Sequence, residues 1–277
     1  MACLPKEGHN WRPELEPEIP SWRVDLREIE QVCSVDPPGC KDIDDALHAR
    51  ISPTNPNAIE VGVHIADVSH FVLPGTPIDL EAKNRATSTY LVERRLDMLP
   101  GLLTTDICSL VSNRDRFCFS VTWETNLDGS EFIGEPKFFK SIIRSRASLT
   151  YDEAQAFIIE EKSSSKLSES IKLLNRIAKH LRRKRVENGA LTLASQEVRF
   201  EFNEGEEEDP TNVYKYVQKD AHFMVEEFML LANCAVAEKI ESVFPKRALL
   251  RRHPKPNPEL LDRLVKSAKA ANIHLNT

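Results

Sequence analysis

Asp36, Asp42, Asp44 and Asp45 place four carboxylates within ten residues, on a stretch that also holds Pro37, Pro38 and Gly39. Two prolines and a glycine break a helix, so the segment reads as a tight loop. Crowded carboxylates repel one another and stay ionised only beside a compensating positive charge. Oxygen donors of this type suit a hard divalent cation, Mg²⁺ or Mn²⁺. On these residues alone, a metal-holding loop and an exposed acidic turn fit equally well.

The elements that must position this loop follow from the pattern around it. Ile59-Glu60-Val61-Gly62-Val63-His64-Ile65 alternates as a half-buried strand does, and with 46–51 and the turn residues Ser52-Pro53-Thr54-Asn55-Pro56-Asn57 it predicts a hairpin. Asp67 lies just past that strand and reads either as a further acid of the site or, with twice the weight, as a turn cap. A helix is expected over 79–89, delivering Tyr90; without further information Tyr90 reads as a packed core tyrosine. Strands are expected at 117–124, 132–139 and 141–148, with Asn126-Leu127-Asp128-Gly129 as a turn. In the last of these strands Arg144 and Arg146 share a face, open to phosphate or to plain solvent.

From Tyr151 the period becomes helical. A short helix over 152–159 precedes a long one over 167–188, whose apolar stripe (Ile171, Leu174, Ile177, Ala178, Leu181) is opposed by cations that include Arg182, Arg183 and Arg185. That density serves either an RNA backbone or a solvated face whose last-turn charges offset the helix dipole. A hairpin is expected at 191–193 with 198–202, then a helix over 220–244 with Met224, Phe228, Leu231 and Ala235 in a core stripe. Glu226 and Glu227 precede Phe228; adjacent helix positions differ by about 100°, so one of the two glutamates faces the core side, and spacing does not say which. Residues 1–30, rich in Pro, Glu and Arg, read as an extended connector, ending in a short helix at 25–30, and 31–277 as one domain without an internal Pro/Gly/Ser linker.

Composition bounds the rest. At 41 % hydrophobic residues the chain of 277 buries a core, and its six cysteines show no C-x-x-C spacing, which points to reduced thiols. No apolar run reaches membrane-spanning length and the N-terminus lacks a signal peptide's apolar centre, so a soluble, intracellular protein with no membrane partner is expected. The net charge of −6 ranks nucleic acid low as a partner. The acidic run 204–209 and the acids of the loop account for part of that charge, so the local distribution decides.

The string Ser34-Val35-Asp36-Pro37-Pro38-Gly39-Cys40 with Asp42-Ile43-Asp44-Asp45-Ala46-Leu47 resembles the signature of the RNase II (RNB) family of exoribonucleases, most of all its eukaryotic RNA-exosome branch. The resemblance continues through 62–71, 85–91, Met98-Leu99-Pro100, 147–151, 189–193 and 225–233, nearly the whole chain. It implies an α+β RNB catalytic domain, a mostly antiparallel sheet packed with helices, here partial and C-terminally truncated. It implies 3′→5′ hydrolysis of single-stranded RNA to 5′-mononucleotides, with Mg²⁺ (Mn²⁺ possible) held by Asp36, Asp42, Asp44 and Asp45 as direct or water-bridged ligands. Two such ions about 4 Å apart can activate a water and stabilise the leaving oxygen. Asp44, mid-cluster, is the first choice for the residue whose loss silences chemistry. By resemblance Tyr90 stacks on a base near the scissile end, and a glutamate of the 220–244 helix, Glu226 or Glu227, lies by the terminal nucleotide.

Exosome ring subunits as partners, ribosomal RNA processing and RNA decay, and a nuclear (nucleolar) and cytoplasmic location also follow from the resemblance alone. The chain departs from the family in stopping before the segment whose consecutive arginines contact the scissile phosphate. A catalytically inactive RNB fragment that only binds RNA or a protein partner is therefore the alternative, and a metal-dependent phosphoesterase of another kind a third.

Overall fold

In a computed structural model, the described residues are 20–91, 95–163, 165–190, 198–201, 212–215, 217–252, 254–273 and 275. The chain divides into two compact units, Met1–Asn233 and Cys234–Thr277. Among the described residues of the first unit, seven strands form one sheet in the order β1-β8-β7-β4-β3-β2-β9. These are β1 (Val24–Asp25), β2 (Cys33–Asp36), β3 (Asp45–Ile51), β4 (Ala58–Ala66), β7 (Asp115–Asn126), β8 (Phe132–Arg144) and β9 (Ala147–Thr150). The pairings β3–β4, β4–β7 and β7–β8 are antiparallel, whereas β1–β8 and β2–β9 are parallel. Two small hairpins stand apart: β5 (Thr89–Tyr90) with β6 (Arg95–Leu96), and β10 (Val198–Glu201) with β11 (Asn212–Lys215).

The helices are α1 (Pro77–Arg85), α2 (Tyr151–Ile159), α3 (Lys166–Glu187) and α4 (Asp220–Val243), with α5 (Pro258–Ala270) in the second unit. The unit boundary falls inside α4. Helix α2 begins on a full capping box, in which Thr150 accepts from the Glu153 amide and Glu153 reaches back to the Thr150 backbone. Helix α3 lies along β3, burying Ile171, Leu174, Ile177 and Ala178. Strand β2 pairs with β3 only at Cys33↔Leu47, which leaves the edge of β3 uncovered beyond that point. Ser170 of α3 closes it, its hydroxyl accepting from the Ala49 amide at 2.8 Å. One side-chain hydrogen bond thus fixes the helix on the strand and satisfies a buried amide.

Where structure and expectation differ, the reasons are local. Residues 25–30 form no helix: β1 pairs with β8 and turns follow, and Asp25 is held by Arg27 rather than capping anything. The helix expected over 79–89 ends at Arg85 because Ala86 takes a positive φ of 63°. Tyr90 is therefore carried by a two-residue strand. The strands expected at 132–139 and 141–148 are a single strand through Arg144, after which β9 leaves for β2 on the other side of the sheet. Strand 198–201 pairs with 212–215, and its expected partner at 191–193 lies outside the described residues.

Candidate active site

The acids sit where two neighbouring strands meet. Asp36 is the last residue of β2 and Asp45 the first of β3, so Asp42 and Asp44 lie on the loop between them. Gly39 has φ of 77° after Pro38, the combination a type II turn requires, and the Cys40 amide donates to the Pro37 carbonyl at 3.2 Å. The loop is tied down from below. Ser109 Oγ accepts from the Ile43 amide at 3.0 Å and donates to the Lys41 carbonyl at 2.7 Å. The Leu110 amide donates to the Ile43 carbonyl and the Ala66 amide to the Asp44 carbonyl. Ile43 is buried in a cluster with Ile29, Val32, Ala46 and Leu110. The carboxylates are thus presented by a loop whose apolar member is an anchor.

Burial and mutual charge shift the carboxyls upward. Burial first, then the charges of Asp44 and Asp42, push the Asp36 carboxyl up to about 6. Burial and the charges of Asp36 and Asp44 push Asp45 up to about 7, and burial and Asp42 raise Asp44 against the lowering pull of Arg95. Asp36 Oδ2 is buried without a hydrogen-bond partner. A set of hard oxygen donors, short of positive charge and with one buried oxygen unsatisfied, fits a divalent cation. Among the described residues, no three His, Cys, Asp or Glu side chains are drawn together as a finished cage.

The other sequence candidates fall into two groups. Tyr90 is 73 % exposed and pairs across the β5–β6 hairpin with Arg95, whose guanidinium meets Asp42 at 2.5 Å. The structure thereby links the tyrosine to the acid loop through an arginine that sequence reasoning passed over. Glu226 and Glu227 instead meet Arg185. The Arg185 Nη2 lies 2.6 Å from Glu227 Oε1 and 2.8 Å from Glu226 Oε1, and Glu227 is the buried one of the two, at 3 % exposure.

The arginines proposed for RNA are largely engaged within the protein. Arg144 pairs with Asp115 at 2.6 Å, and Arg146 donates to the Arg27 carbonyl. Arg182 stacks on the Phe223 ring at 3.6 Å, and Arg183 is hydrogen-bonded to His180 Nδ1 on its own helix. Asp67 is no member of the acid group. It is buried beneath Arg23 (2.6 Å) and Lys140 (2.5 Å) and accepts from the Ser69 hydroxyl; it stands at the N-cap of the short turn 68–70, but its carboxylate makes no cap bond to a backbone amide there.

A sheet whose second and third strands present clustered aspartates at their junction defines the class, and residues 23–277 match the RNB domain. The chain belongs to the RNB domain family. It is 49 % identical to exosome complex exonuclease RRP44 homolog A of Arabidopsis thaliana over 276 residues, all of this chain and 29 % of that protein. It is 50 % identical over 255 residues to exosome complex exonuclease RRP44 of Mus musculus, covering 92 % of this chain and 26 % of the relative. Among solved structures, Mycoplasma genitalium RNase R in complex with ribose-methylated single-stranded RNA superposes with a TM-score of 0.80 at 27 % identity, over 92 % of this chain and 39 % of that one. The yeast pseudonuclease Ssd1, at 18 % identity and a TM-score of 0.73, shares the fold. The chain thus spans under a third of the length of the exosome relatives it matches.

Proposed function

We propose that this chain is the acid-bearing part of a 3′→5′ exoribonuclease that hydrolyses single-stranded RNA to 5′-mononucleotides in an exosome-type assembly. The observation that carries the reading is the junction of β2 and β3, where Asp36, Asp42, Asp44 and Asp45 share one anchored loop with a buried carboxylate oxygen left unpaired. Its support is the family membership and the exosome exonucleases among the relatives. Mg²⁺ or Mn²⁺ held by these aspartates, directly or through water, supplies the Lewis acidity that phosphodiester hydrolysis needs. The chain's own residues do the rest. The aspartates orient the attacking water beside a 3′-terminal phosphodiester. The exposed Tyr90 ring offers a face on which a base of any identity stacks.

Asp44→Asn tests this directly. The unmutated chain, given 3′-extended labelled single-stranded RNA and Mg²⁺, is expected to release mononucleotides; the variant is expected to lose hydrolysis and keep RNA binding. Full activity in Asp44→Asn overturns the assignment. A gel shift without products from the unmutated chain supports the second reading, a module that docks RNA without cutting it. Hydrolysis of small phosphodiesters without shortening of RNA supports a phosphoesterase of another kind.

A further inference from the structure

The β5–β6 hairpin and the acid loop belong to different parts of the chain, and one side chain joins them. Arg95 lies directly across the hairpin from Tyr90, and its guanidinium meets Asp42 at 2.5 Å and Asp97 at 2.5 Å. A guanidinium forks in a plane, so two carboxylates held by one Arg are fixed relative to each other in distance and angle. Asp97 is itself held: Arg85, at the end of α1, donates to its carbonyl at 3.2 Å, and the next amide, Met98, donates to Ser88 Oγ at 3.0 Å. Arg95 thus connects a hairpin braced against α1 to a loop braced on Ser109. It is three-quarters buried, whereas Tyr90, its cross-strand partner, stands out to solvent.

We propose that Arg95 is a positioning residue, a clasp that sets Tyr90 at a fixed reach from the acid loop and so places the terminal base relative to the phosphodiester to be cut. The inference rests on the single-stranded RNA reading above and adds the residue that couples its two halves. The clasp has a second consequence of opposite sign. Arg95 occupies one carboxylate of the acid set and puts a positive charge beside it, so it opposes any cation that binds there. Removing it loosens the base and frees the loop for the ion at the same time.

The test uses the full chain and two readouts that need no turnover. Mn²⁺ binding is followed by electron paramagnetic resonance of the free ion. Stacking is followed by quenching of 2-aminopurine at the 3′ end of a single-stranded RNA. Arg95→Gln is expected to tighten Mn²⁺ binding about tenfold, the size expected for removing a unit charge at roughly 5 Å in a nearly aqueous medium, and to lose most of the quenching, as Tyr90→Ala does. Arg95→Lys keeps the charge without the fork; it is expected to hold Mn²⁺ as the unmutated chain does and to recover only part of the quenching. In Asp42→Asn, where the clasp is already open, adding Arg95→Gln is expected to cost no further quenching.

Each failure points to a different cause. If Arg95→Gln weakens ion binding and stacking together, Arg95 merely holds the loop in shape and the proposal is overturned. Quenching in Arg95→Gln equal to that of the unmutated chain overturns it as well. If the unmutated chain binds Mn²⁺ but quenches nothing, the RNA reading fails and takes the clasp with it.

Discussion

Asp45 and the buried histidines act on stability in opposite directions with pH. Asp36 and Asp45 have their carboxyls raised from 3.8 to about 6 and about 7. Between pH 4 and 7 the folded chain therefore binds more protons than the unfolded one, and stability falls as pH rises through that window. His48 and His64 are lowered, by burial first and in His64 also by the charge of its neighbour. Below about pH 6.5 the unfolded chain takes up protons that the folded one refuses, so these residues make stability fall as pH drops. In EDTA the melting temperature is expected to peak between the two limbs, and Asp45→Asn is expected to flatten the limb above the peak. At pH 7.5 that variant should be stabilised by about 1–2 kcal/mol, roughly 2–4 °C per kcal/mol for a chain of this size. Calorimetry across pH 5 to 8 checks it; an unchanged upper limb in Asp45→Asn would remove the carboxylate from that role.

At the scale of elements, two contacts carry more than their length suggests. The first is the row of side chains on one face of β3, β4, β7 and β8. His48 Nδ1 and His64 Nε2 are 2.8 Å apart, His64 Nδ1 is 2.7 Å from Ser120 Oγ, and that hydroxyl is 2.6 Å from Ser141 Oγ. Gly62 lies opposite His48 in the ladder, and a Cβ there would stand 2.3 Å from His48 Cε1. The imidazoles overlie the glycine, so Gly62→Ala is expected to push His48 off its partners. We expect a loss of about 2–4 kcal/mol in urea unfolding, the range for overpacking combined with a broken buried network.

The second contact joins α3 to α4. Breaking Arg185 away leaves Glu227 buried and unpaired, so Arg185→Ala should cost about 3 kcal/mol, at the lower end for a buried pair because the arginine is partly exposed. Glu226→Ala, at the exposed end of the same fork, should cost under about 1 kcal/mol. If Arg185→Ala/Glu227→Leu is no more stable than Arg185→Ala alone, the buried charge is not the cause.

For the molecule as a whole, legibility followed the range of the interactions. The acid loop, the β3–β4 hairpin and the long helices were readable because prolines, alternation and a 3.6-residue period are local signals. Arg95 was not readable, because a salt bridge from residue 95 to residue 42 leaves no pattern in either neighbourhood. Ser109 under the loop was missed for the same reason. The cations of α3 were read as a face, and spacing alone could not show that they had partners. In the structure Arg176 donates to the Leu127 carbonyl, Lys184 to the Ser130 carbonyl and Lys179 pairs with Asp220, while Arg182 and Arg185 hold Phe223, Glu226 and Glu227.

This commitment of charge bears on how a chain of net charge −6 holds RNA. Each phosphate neutralised on a single strand contributes about −0.7 to the slope of log K against log salt. With the cations of α3 engaged internally, a short oligonucleotide is expected to draw on only about two or three phosphate contacts. The slope for a short oligonucleotide is then expected to be shallow, about −1 to −2, with stacking on Tyr90 supplying the part of the affinity that salt does not touch. Titrations of fluorescent RNA in Mg²⁺ between 50 and 300 mM KCl measure it. In Tyr90→Ala the affinity should drop with the slope unchanged; a slope steeper than about −4 would mean that the α3 arginines leave their partners for the RNA backbone.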